Sequence, residues 1–430
     1  MYVSRAHHAC SRCGLALLWL ATALGLPAAV HAANGPWKIE LQAGNVERSG
    51  LPIRVPVEVE GNLPDGSPAQ VLLPDGTRVT GQFTAPTLLE APAAKGPQAG
   101  TRRDVLFVLP TFPAGTTLQV VLEAGGPAEA KPPRLAWKEQ AGGIDLEDGG
   151  KPLVRYEMPT YDPSSDEARE RTYKPFHHVF DSSRGTLLTK GDGGQYTHHR
   201  GLFFGYNKIR HGADMQTASD CWHCKGQARQ EHKKVLEQAA GEVEARQRVA
   251  IDWIGSDAAL VASETRELEV IPAPGGTAID FASRLTTLAP VRLEGDPQHS
   301  GVHFRAAQEV AAATKGQTYY LRPDRKAALG EFRNWPADPT YINAPWHAAS
   351  FVVKGQRYTV LRVNRPANPG EARMSERDYA RFGSYFEHDL RPDAPLEVAY
   401  RWWVQPGEMT LEQAARIAAD YAEPVRATLR

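Results

Sequence analysis

The stretch Ser350-Phe351-Val352-Val353-Lys354-Gly355-Gln356-Arg357-Tyr358-Thr359-Val360-Leu361 (residues 350–361, SFVVKGQRYTVL) joins two apolar runs through a Lys-Gly pair. Its β-branched and aromatic residues favour strands, and a glycine in so short a connection is typical of a hairpin turn. Similar runs recur along most of the chain, with few helix signals. The sequence therefore predicts a mostly β protein, whose C-terminal part forms a large two-layer antiparallel β-sandwich.

A smaller β-sandwich is predicted for residues 33–124, where short alternating runs are separated by Asp-Gly pairs that signal antiparallel hairpins. This segment contains no histidine and no cysteine, which favours an accessory role over a catalytic one. Residues 125–136 include the Gly-, Pro- and Ala-rich run GGPAEAKPP and are predicted to be a linker. The second domain is then expected to span residues 137–430.

Two segments of the second domain need a separate prediction. Residues 227–240 have a helix-forming composition but lie between strand-like runs, so we favour a strand there. Thr410 and Gln413 form a capping-box pattern ahead of an apolar stripe, which predicts a C-terminal helix over residues 411–421.

The first 32 residues have the pattern of a secretory signal peptide, with basic residues, an apolar stretch over residues 14–30 and a small-residue cleavage site. We therefore expect a periplasmic or secreted protein, with no membrane span in the mature chain because no later segment approaches 18 uncharged apolar residues. Without the signal, 47 basic residues face 50 acidic ones. This near-neutral balance argues against nucleic acid as a partner.

The histidines that remain after the signal peptide all fall in the second domain. Histidine is the side chain best suited to proton transfer near neutral pH and a common metal ligand, so this distribution marks the second domain as the functional one. The histidines are His177, His178, His198, His199, His211, His223, His232, His299, His303, His347 and His388.

One motif, QYTHHRGLFFGYN at residues 195–207, places two histidines and an arginine before a predicted buried strand. Because side chains alternate along a strand, only one of the two histidines is expected to face a given cleft. We favour His199, supported by Arg200, whose guanidinium could bind a carboxylate or sugar hydroxyls. The alternative is a structural role, in which a histidine caps the strand and Arg200 forms an ion pair.

Cys221-Trp222-His223-Cys224 is a C-x2-C motif without a second copy, so its zinc signal is weak and metal ligands stay unknown. In an exported protein, a local disulfide between Cys221 and Cys224 is the favoured interpretation. A thioredoxin-like redox role is disfavoured because no βαβ pattern surrounds the motif.

Three further segments combine basic and aromatic residues, which favours a polar, sugar-like ligand over a purely solvated surface. They are DPQHSGVHFR at 296–305, APWH at 344–347 and SERDYARFG at 375–383. In the first, His303 and Arg305 share one face of a predicted strand.

Together, THHRGLFFG at 197–205, Trp222-His223, the 296–305 segment and the stretch from Ser375 to Phe386 resemble the uncharacterised bacterial PmoA-like family, which also carries the label methane oxygenase PmoA. The resemblance spans roughly residues 137–425. It implies an exported β-sandwich of galactose-mutarotase-like or polysaccharide-lyase-like type, a supersandwich-like fold. It does not imply the membrane enzyme of that label, because the mature chain has no membrane segment.

The resemblance also implies site residues. Those expected to be catalytic are His178, His199, His299, His347 and Tyr379. Those expected to bind substrate are Arg200, Arg305 and Arg377. No cofactor is identified, and His303 and the cysteine pair have a more doubtful role.

The first hypothesis is a carbohydrate-active enzyme that cleaves or isomerises a glycan by acid–base chemistry. In its lyase form, an arginine such as Arg200 or Arg305 neutralises a uronate carboxylate, and a histidine or Tyr379 removes the neighbouring proton. In a hydrolase or epimerase form, Glu376 and a histidine share the acid and base roles. The second hypothesis is a non-catalytic periplasmic protein that binds a glycan or a metal, and copper-dependent oxidation ranks last.

Overall fold

The computed structural model describes residues 35–61, 63–90, 101–125, 133–296 and 298–430. The expected signal peptide lies outside the described residues, as do residues 126–132 of the expected linker. Within the described ranges, no helix is both long enough and apolar enough to cross a membrane.

Twenty-seven strands make up about half of the described chain, against 8% helix, which confirms the mostly β fold. They are β1 Trp37–Gln42, β2 Pro52–Val59, β3 Pro68–Leu72, β4 Arg78–Thr84, β5 Thr101–Val108, β6 Thr117–Ala124, β7 Leu135–Gln140, β8 Gly143–Asp148, β9 Lys151–Glu157, β10 Phe176–Val179, β11 Leu202–Tyr206, β12 Ile209–His211, β13 Thr217–Ser219, β14 Arg229–Ala240, β15 Ala245–Ile254, β16 Leu260–Ala273, β17 Gly276–Thr286, β18 Val291–Leu293, β19 Ser300–Arg305, β20 Tyr319–Leu321, β21 Trp346–Val353, β22 Gln356–Asn364, β23 Arg373–Ser375, β24 Arg381–Tyr385, β25 His388–Leu390, β26 Leu396–Pro406 and β27 Arg426–Leu429.

The N-terminal sheet has the strand order β2-β5-β4-β3-β6-β1-β27 around a core of its own. Its last strand comes from the C-terminus of the chain, because Arg426–Leu429 pairs with β1. The expected second domain, residues 137–430, therefore gives its final strand to the N-terminal sheet. Asp75-Gly76 is the turn of the β3–β4 hairpin, whereas the Asp65-Gly66 turn connects β2 and β3, which do not pair.

Two eight-stranded antiparallel sheets form the large sandwich. The front sheet has the order β23-β24-β19-β11-β10-β9-β8-β7, and the back sheet β14-β15-β16-β17-β26-β22-β21-β20. Alternate residues of both sheets, such as Phe204 and Phe304 in front and Phe281 and Trp402 behind, form one continuous core. A four-stranded sheet of order β13-β12-β18-β25 completes this part.

The hairpin at 350–361 forms as its sequence indicates. Val353 pairs with Gln356, and the two turn residues Lys354 and Gly355 have φ of 50° and 72°. These positive values give the turn the twist that antiparallel strands need. The segment 227–240 is also a strand, β14, as favoured.

Two α-helices lie among the strands. Helix α1, Asp166–Thr172, was not expected from the sequence; the Ser165 side chain caps it by accepting from the Ala168 amide. Helix α2, Leu411–Ala422, confirms the predicted C-terminal helix, and Thr410 accepts from the Gln413 amide at 3.0 Å. The Gln413 side chain does not complete a capping box, because it donates to Gln405 instead. A π-helical turn and a 3-10 turn follow β19 at Val310–Thr314 and Lys315–Gln317.

A buried arginine, Arg48, connects helix α2 to the N-terminal sheet and its core, which we call the N-terminal unit. The Arg48 side chain donates to the Asp420 carboxylate at 2.8 Å and to the carbonyls of Ala43 and Glu423. Arg401 of the back sheet holds the other oxygen of Asp420 at 3.1 Å. Removal of Arg48 would leave the buried Asp420 carboxylate with Arg401 alone, and Arg401 also pairs with Asp280.

We expect Arg48→Ala to lower the free energy of unfolding by about 3–5 kcal/mol, since the Asp420 carboxylate and two carbonyls lose buried donors. The matched control is Arg78→Ala, which removes an exposed pair with Glu123 and should cost at most about 1 kcal/mol. Denaturant unfolding followed by tryptophan fluorescence compares them. Equal losses in the two variants would contradict the structural role of Arg48.

Buried carboxyls also lie where the N-terminal unit meets the back sheet. Burial raises the pKa of Glu244 to about 7, and Glu269 adds to the rise while Arg54 opposes it. Burial likewise raises the pKa of Glu267 to about 7, again with a contribution from Glu269. Neither carboxylate oxygen of Glu244 has a hydrogen-bond partner, which fits a protonated group.

A pH dependence of stability follows from these two groups. Their ordinary pKa is 4.5, so between pH 4.5 and 7 the folded protein holds protons that the unfolded chain releases. Their contribution to stability is therefore lost as the pH rises through this window. We expect Glu244→Gln to reduce this loss by about 2 kcal/mol, measured as denaturant unfolding at a series of pH values. An identical pH slope in the variant would show that Glu244 titrates normally.

Candidate functional site

The outer face of the front sheet carries the residues that build the site. Phe204, Phe304 and Phe382 point into the sandwich core, so their neighbours on the same strands point away from the back sheet. The register pairs Arg305 with Arg381 and His303 with Gly383 on this outer face. A side chain at Gly383 would collide with the His303 ring, so the glycine makes room for it.

The first covering loop runs from Gly191 to Gly201 and brings in both histidines of the 195–207 motif. Residues 196–199 form a turn, closed by a bond from the His199 amide to the Tyr196 carbonyl, and the strand begins only at Leu202. The expected alternation, with one histidine facing a cleft, was therefore wrong. The two imidazole rings lie next to each other, with centroids 4.2 Å apart.

The second covering loop, which includes residues 220–224, carries His223 and is anchored by Trp222. The indole is fully buried against Phe203 and Phe176, and Lys174 donates to the Trp222 carbonyl. One oxygen of Asp220 accepts the amides of Trp222 and His223, and the other contacts His223 Nδ1 at 2.8 Å. The Asp220 carboxylate therefore fixes both the loop and the orientation of the imidazole, whose Nε2 is left free.

The third loop, 296–300, carries His299 in a similar arrangement. His299 Nδ1 lies 2.9 Å from the Asp296 carboxylate, so its Nε2 is also free. Asn207, the last residue of the 195–207 motif, holds this loop through its amide side chain, which donates to Asp296 and accepts the Asp296 backbone amide. Burial alone would raise the pKa of Asp296, but hydrogen bonds from His299 and the Gln298 amide lower it to about 2.

These loops bring four imidazoles together, which we call the histidine cluster: His198, His199, His223 and His299. The ring of His198 lies 4.3 Å from that of His223, and the ring of His223 lies 4.8 Å from that of His299. Ligand nitrogens of His198, His199 and His299 all lie within 4.8 Å of one another. This is the set of described residues that could hold a metal ion.

The buried members of the cluster are neutral at physiological pH. Burial, reinforced by Lys174, lowers the pKa of His198 to about 2. Burial and the nearby Arg381 hold the pKa of His199 well below its usual range. Neutral imidazoles keep a lone pair that can accept a proton or bind a metal.

Positive charge surrounds the cluster. Burial lowers the pKa of Lys174 to about 8 and that of Lys190 to about 7, where Arg305 adds to the effect. Burial also lowers the pKa of Arg305 to about 10, and Arg381 contributes by repulsion. Burial is the main cause of these shifts, so each of these groups would gain from an anion that stabilises its charged form.

Arg305 lies under two stacked tyrosines. Its guanidinium is 4.5 Å from the centroid of the Tyr379 ring, and Tyr379 stacks on Tyr196 at 5.5 Å. Nη1 donates to the carbonyls of Ala306 and Tyr379, whereas the buried Nε and Nη2 have no partner among the described residues. Arg305 and Tyr379 were both expected from the sequence, and the structure places them together.

The other two expected substrate-binding arginines are engaged elsewhere. Arg200 is buried, donates to the carbonyls of Thr197, Arg171 and Glu170, and lies over the Tyr173 ring at 4.3 Å. It fastens the end of helix α1 to the first loop, which is a structural role, although through carbonyls rather than through the ion pair of the structural alternative. Arg377 donates to the Glu376 carbonyl and lies beside Phe332.

Two of the expected catalytic histidines lie outside the cluster. His347 is between the two sheets, where its ring meets Phe382 and its Nδ1 contacts Tyr341 and Glu376. Burial lowers the pKa of His347 to about 4 despite the Glu376 carboxylate, which Arg322 holds through two bonds. The Phe382 side chain points to the core face of the front sheet, so His347 and the cluster lie on opposite faces.

His178 and His303 lie on strands of the front sheet. His178 contacts Thr189 at 3.0 Å and packs between Phe176 and Phe180, and burial lowers its pKa to about 4. His303 is fully buried beneath the cluster; it contacts the Ser300 carbonyl through Nε2 and Arg381 through Nδ1. Both ring nitrogens of His303 are thus engaged, which indicates a supporting role.

The cysteines do not form the expected disulfide; both are free and buried. The Cys221 thiol points to the Ile254 carbonyl at 3.5 Å and the Cys224 thiol to the Tyr173 carbonyl at 3.8 Å. Burial raises the pKa of Cys224 to about 11 and that of Cys221 well above its usual range, so both stay thiols. Neither belongs to the candidate metal-binding group.

Sequence reasoning missed two members of the cluster, His198 and His223. His198 was set aside by the strand alternation that the loop does not follow. His223 was seen only as part of the C-x2-C motif, although Asp220 three residues earlier is a spacing that allows a carboxylate–imidazole pair.

Two described cavities, of about 620 and 360 Å³, lie elsewhere, against helix α2 and beside the N-terminal unit. The chemistry of the histidine cluster makes it the stronger candidate.

The fold and the cluster define a mostly β protein with a buried histidine site on the outer face of its front sheet. A family model described as "Family of unknown function (DUF6807)" matches residues 143–419, so the chain belongs to this family. No curated protein matches the chain. Among solved structures, the chain is similar to a protein in the Glycosyl Hydrolase Family 38 from Enterococcus faecalis, with a TM-score of 0.45 and 10% identity over 92% of this chain. The chain spans 47% of that protein's length.

The state of the cysteines can be tested directly. For protein beginning at residue 33, we expect two titratable thiols after denaturation without reductant, and a much slower reaction in the native protein because both thiols are buried and protonated. Measurement with a thiol reagent, checked by intact mass after alkylation, distinguishes the states. If the denatured protein has no titratable thiols, the cysteines form the disulfide that the sequence favoured.

Proposed function

We propose that the protein is an exported carbohydrate-active enzyme, which acts by acid–base chemistry on a glycan that carries a carboxylate. One observation carries the proposal: Arg305 has two buried donors without a partner among the described residues, and its charge helps to hold the pKa of nearby His199 below its usual range, while His223 and His299 are each oriented by a carboxylate. A buried cation without a counter-ion and a neutral proton acceptor beside it are the two components that removal of a proton next to a carboxylate needs.

Recognition of the carboxylate falls to Arg305. Its Nε and Nη2 lie on adjacent corners of a planar group, which can bind both oxygens of a carboxylate. Lys174, Lys190 and Arg381 are basic groups near the cluster whose charged forms burial disfavours, so an anion there would stabilise them. A neutral sugar would leave this charge uncompensated.

Recognition of the sugar ring falls to the tyrosine pair. Tyr196 is 44% exposed and extends the Tyr379 ring toward solvent as an aromatic platform. Because the same pair covers Arg305, a substrate reaches the guanidinium only when the 191–196 loop moves. This loop contains Gly193 and Gly194, both with positive φ, which a glycine adopts at little cost.

Proton transfer falls to His223. The Asp220 carboxylate accepts from Nδ1 and leaves Nε2 as the acceptor, and the side chain is partly exposed, whereas that of His199 is buried. A carboxylate that orients an imidazole in this way is a recurring arrangement in general bases. The Tyr379 hydroxyl is the proton donor on the side of Arg305.

In the lyase reaction, Nε2 of His223 removes the proton from the carbon next to the carboxylate, which Arg305 neutralises. The electron pair of the C–H bond forms a C=C bond, the C–O bond to the leaving sugar breaks, and that oxygen takes a proton from Tyr379. Return of the proton to the opposite face of the same carbon would give isomerisation. The resemblance to PmoA-like, galactose-mutarotase-like and polysaccharide-lyase-like sandwiches supports a sugar substrate.

Non-catalytic binding is the second candidate, favoured by the coverage of Arg305 by Tyr196 and Tyr379. The same assay separates the candidates. Unsaturated-sugar absorbance from uronate-containing polysaccharides indicates a lyase, and new reducing ends without that absorbance indicate hydrolysis. Binding without either product indicates a binding protein.

We expect Arg305→Met to lower kcat/KM on a uronate-containing polysaccharide by about 100-fold or more, because the carboxylate loses its counter-ion in a buried site. Arg391→Ala, which removes an exposed arginine of the same domain, is the matched control and should behave as wild type. Circular dichroism verifies that the Met variant folds. The proposal fails if wild-type protein neither binds nor converts uronate polysaccharides, or if it prefers neutral glycans.

A further inference from the structure

Three imidazoles of the histidine cluster come from two loops that are separated by about a hundred residues in the sequence, yet their nitrogens converge. His198 and His199 lie on the first loop and His299 on the third, and one nitrogen of each lies within 4.8 Å of the others. A solvated histidine has no reason to approach two more imidazoles this closely, since any two protonated rings would repel. The convergence indicates a shared ligand.

Two of the three histidines have buried ring nitrogens without a hydrogen-bond partner among the described residues. Both ring nitrogens of His199, whose side chain is only 2% exposed, and Nε2 of His198 lack hydrogen bonds. The rings around His199 are largely aromatic, Tyr196, Phe203 and Trp222. A buried polar group without a partner costs about 1–3 kcal/mol, so these nitrogens require a ligand that the protein itself does not supply.

The third imidazole, that of His299, is oriented by a carboxylate, as the imidazoles of histidine metal ligands often are. Asp296 contacts Nδ1 of His299 and thereby leaves Nε2 as the nitrogen available to a ligand, and Asn207 in turn holds Asp296. A carboxylate behind the imidazole fixes its tautomer and raises its basicity, an arrangement common in zinc proteins. A water molecule would not need this degree of orientation.

We propose that His198, His199 and His299 bind one divalent transition-metal ion, with Zn²⁺ as the best match to three neutral imidazoles. A tetrahedral ion at about 2.0 Å from each nitrogen places the nitrogens roughly 3.3 Å apart, so a shift of each ring by less than about 1 Å closes the site. Three histidines leave one coordination position open, as in catalytic rather than structural zinc sites. The cysteine thiols point away from this position.

The surrounding charge specifies the fourth ligand. Lys174 and Arg381 already repel positive charge at the histidines, so a bound cation is favoured only together with an anion in its open position. Hydroxide or a carboxylate oxygen fits this requirement. His223, whose ring lies 4.3 Å from that of His198, could then take the proton from a metal-bound water. This last role rests on the proposed function, whereas the metal site itself does not.

The test uses protein beginning at residue 33, dialysed against a chelator and then freed of it. Titration with Zn²⁺ should show one ion per chain by calorimetry and by elemental analysis after gel filtration. Titration with Co²⁺ should give visible absorption bands of a low-coordinate cobalt site, which report the ligand set without any activity assay. Acetate should tighten Zn²⁺ binding, because it can fill the open position.

His199→Ala and His299→Ala should each lower Zn²⁺ affinity at least about 100-fold and abolish the cobalt bands. His232→Gln, which changes a half-buried histidine of the back sheet, is the matched control and should bind as wild type. Near-ultraviolet circular dichroism verifies the fold of each variant. Lack of stoichiometric binding by wild-type protein, or unchanged binding by both alanine variants, would overturn the metal site.

The metal site and the proposed function can fail independently, and the experiments distinguish the two failures. Zn²⁺ binding by a protein that ignores every uronate polysaccharide would leave the metal site standing and refute the proposed function. Unchanged glycan conversion after complete removal of metal would refute a metal role and leave the acid–base proposal standing.

Discussion

The alternation of side chains across the front sheet is the constraint on which the rest of the structure depends. Phe204, Phe304 and Phe382 fill the core against the back sheet, so the residues between them must point outward. Those outward positions hold His303, Arg305 and Arg381, which are too polar for the core and yet are all buried. Loops rather than a third sheet cover them, because loops bring side chains and carbonyls that can satisfy charged and polar groups.

The covering loops are held by a few strong contacts. Trp222 fills an aromatic pocket against Phe176 and Phe203, and burial of such a side chain contributes a few kcal/mol. Asp220 and Asn207 then fix the backbone on either side through short hydrogen bonds. Three flexible connections thereby acquire fixed geometry, and four imidazoles meet within a few ångströms. Burial also lowers the pKa values of His198 and His199, which gives the site two neutral imidazoles.

Charge links the proposed substrate with the proposed metal. Arg305, Arg381 and two lysines surround the cluster, and burial disfavours their ionised forms without a counter-ion. A carboxylate on a glycan would neutralise Arg305, and an anion in the open position of a metal would offset the ion's own charge. Both proposals therefore place negative charge in the same region, and each has its own group to receive it.

Local sequence patterns were sufficient for the elements of the fold. Alternation and the Lys354-Gly355 turn predicted the β21–β22 hairpin, and the Thr410 cap with its apolar stripe predicted helix α2. The position of the histidines along the chain also pointed to the large sandwich. Such features depend on neighbours within a few residues, so the sequence alone contains them.

Only the tertiary structure decided which residues meet. The sequence favoured His199, His299, Arg305 and Tyr379, which do come together, but it also favoured His347, which faces the core, and Arg200, which binds carbonyls. It did not select His198 or His223, and it did not place β27 beside β1. The physical reason is that strand pairing and loop closure are set by contacts between segments far apart in the chain, whereas periodicity reports only the face on which a residue lies.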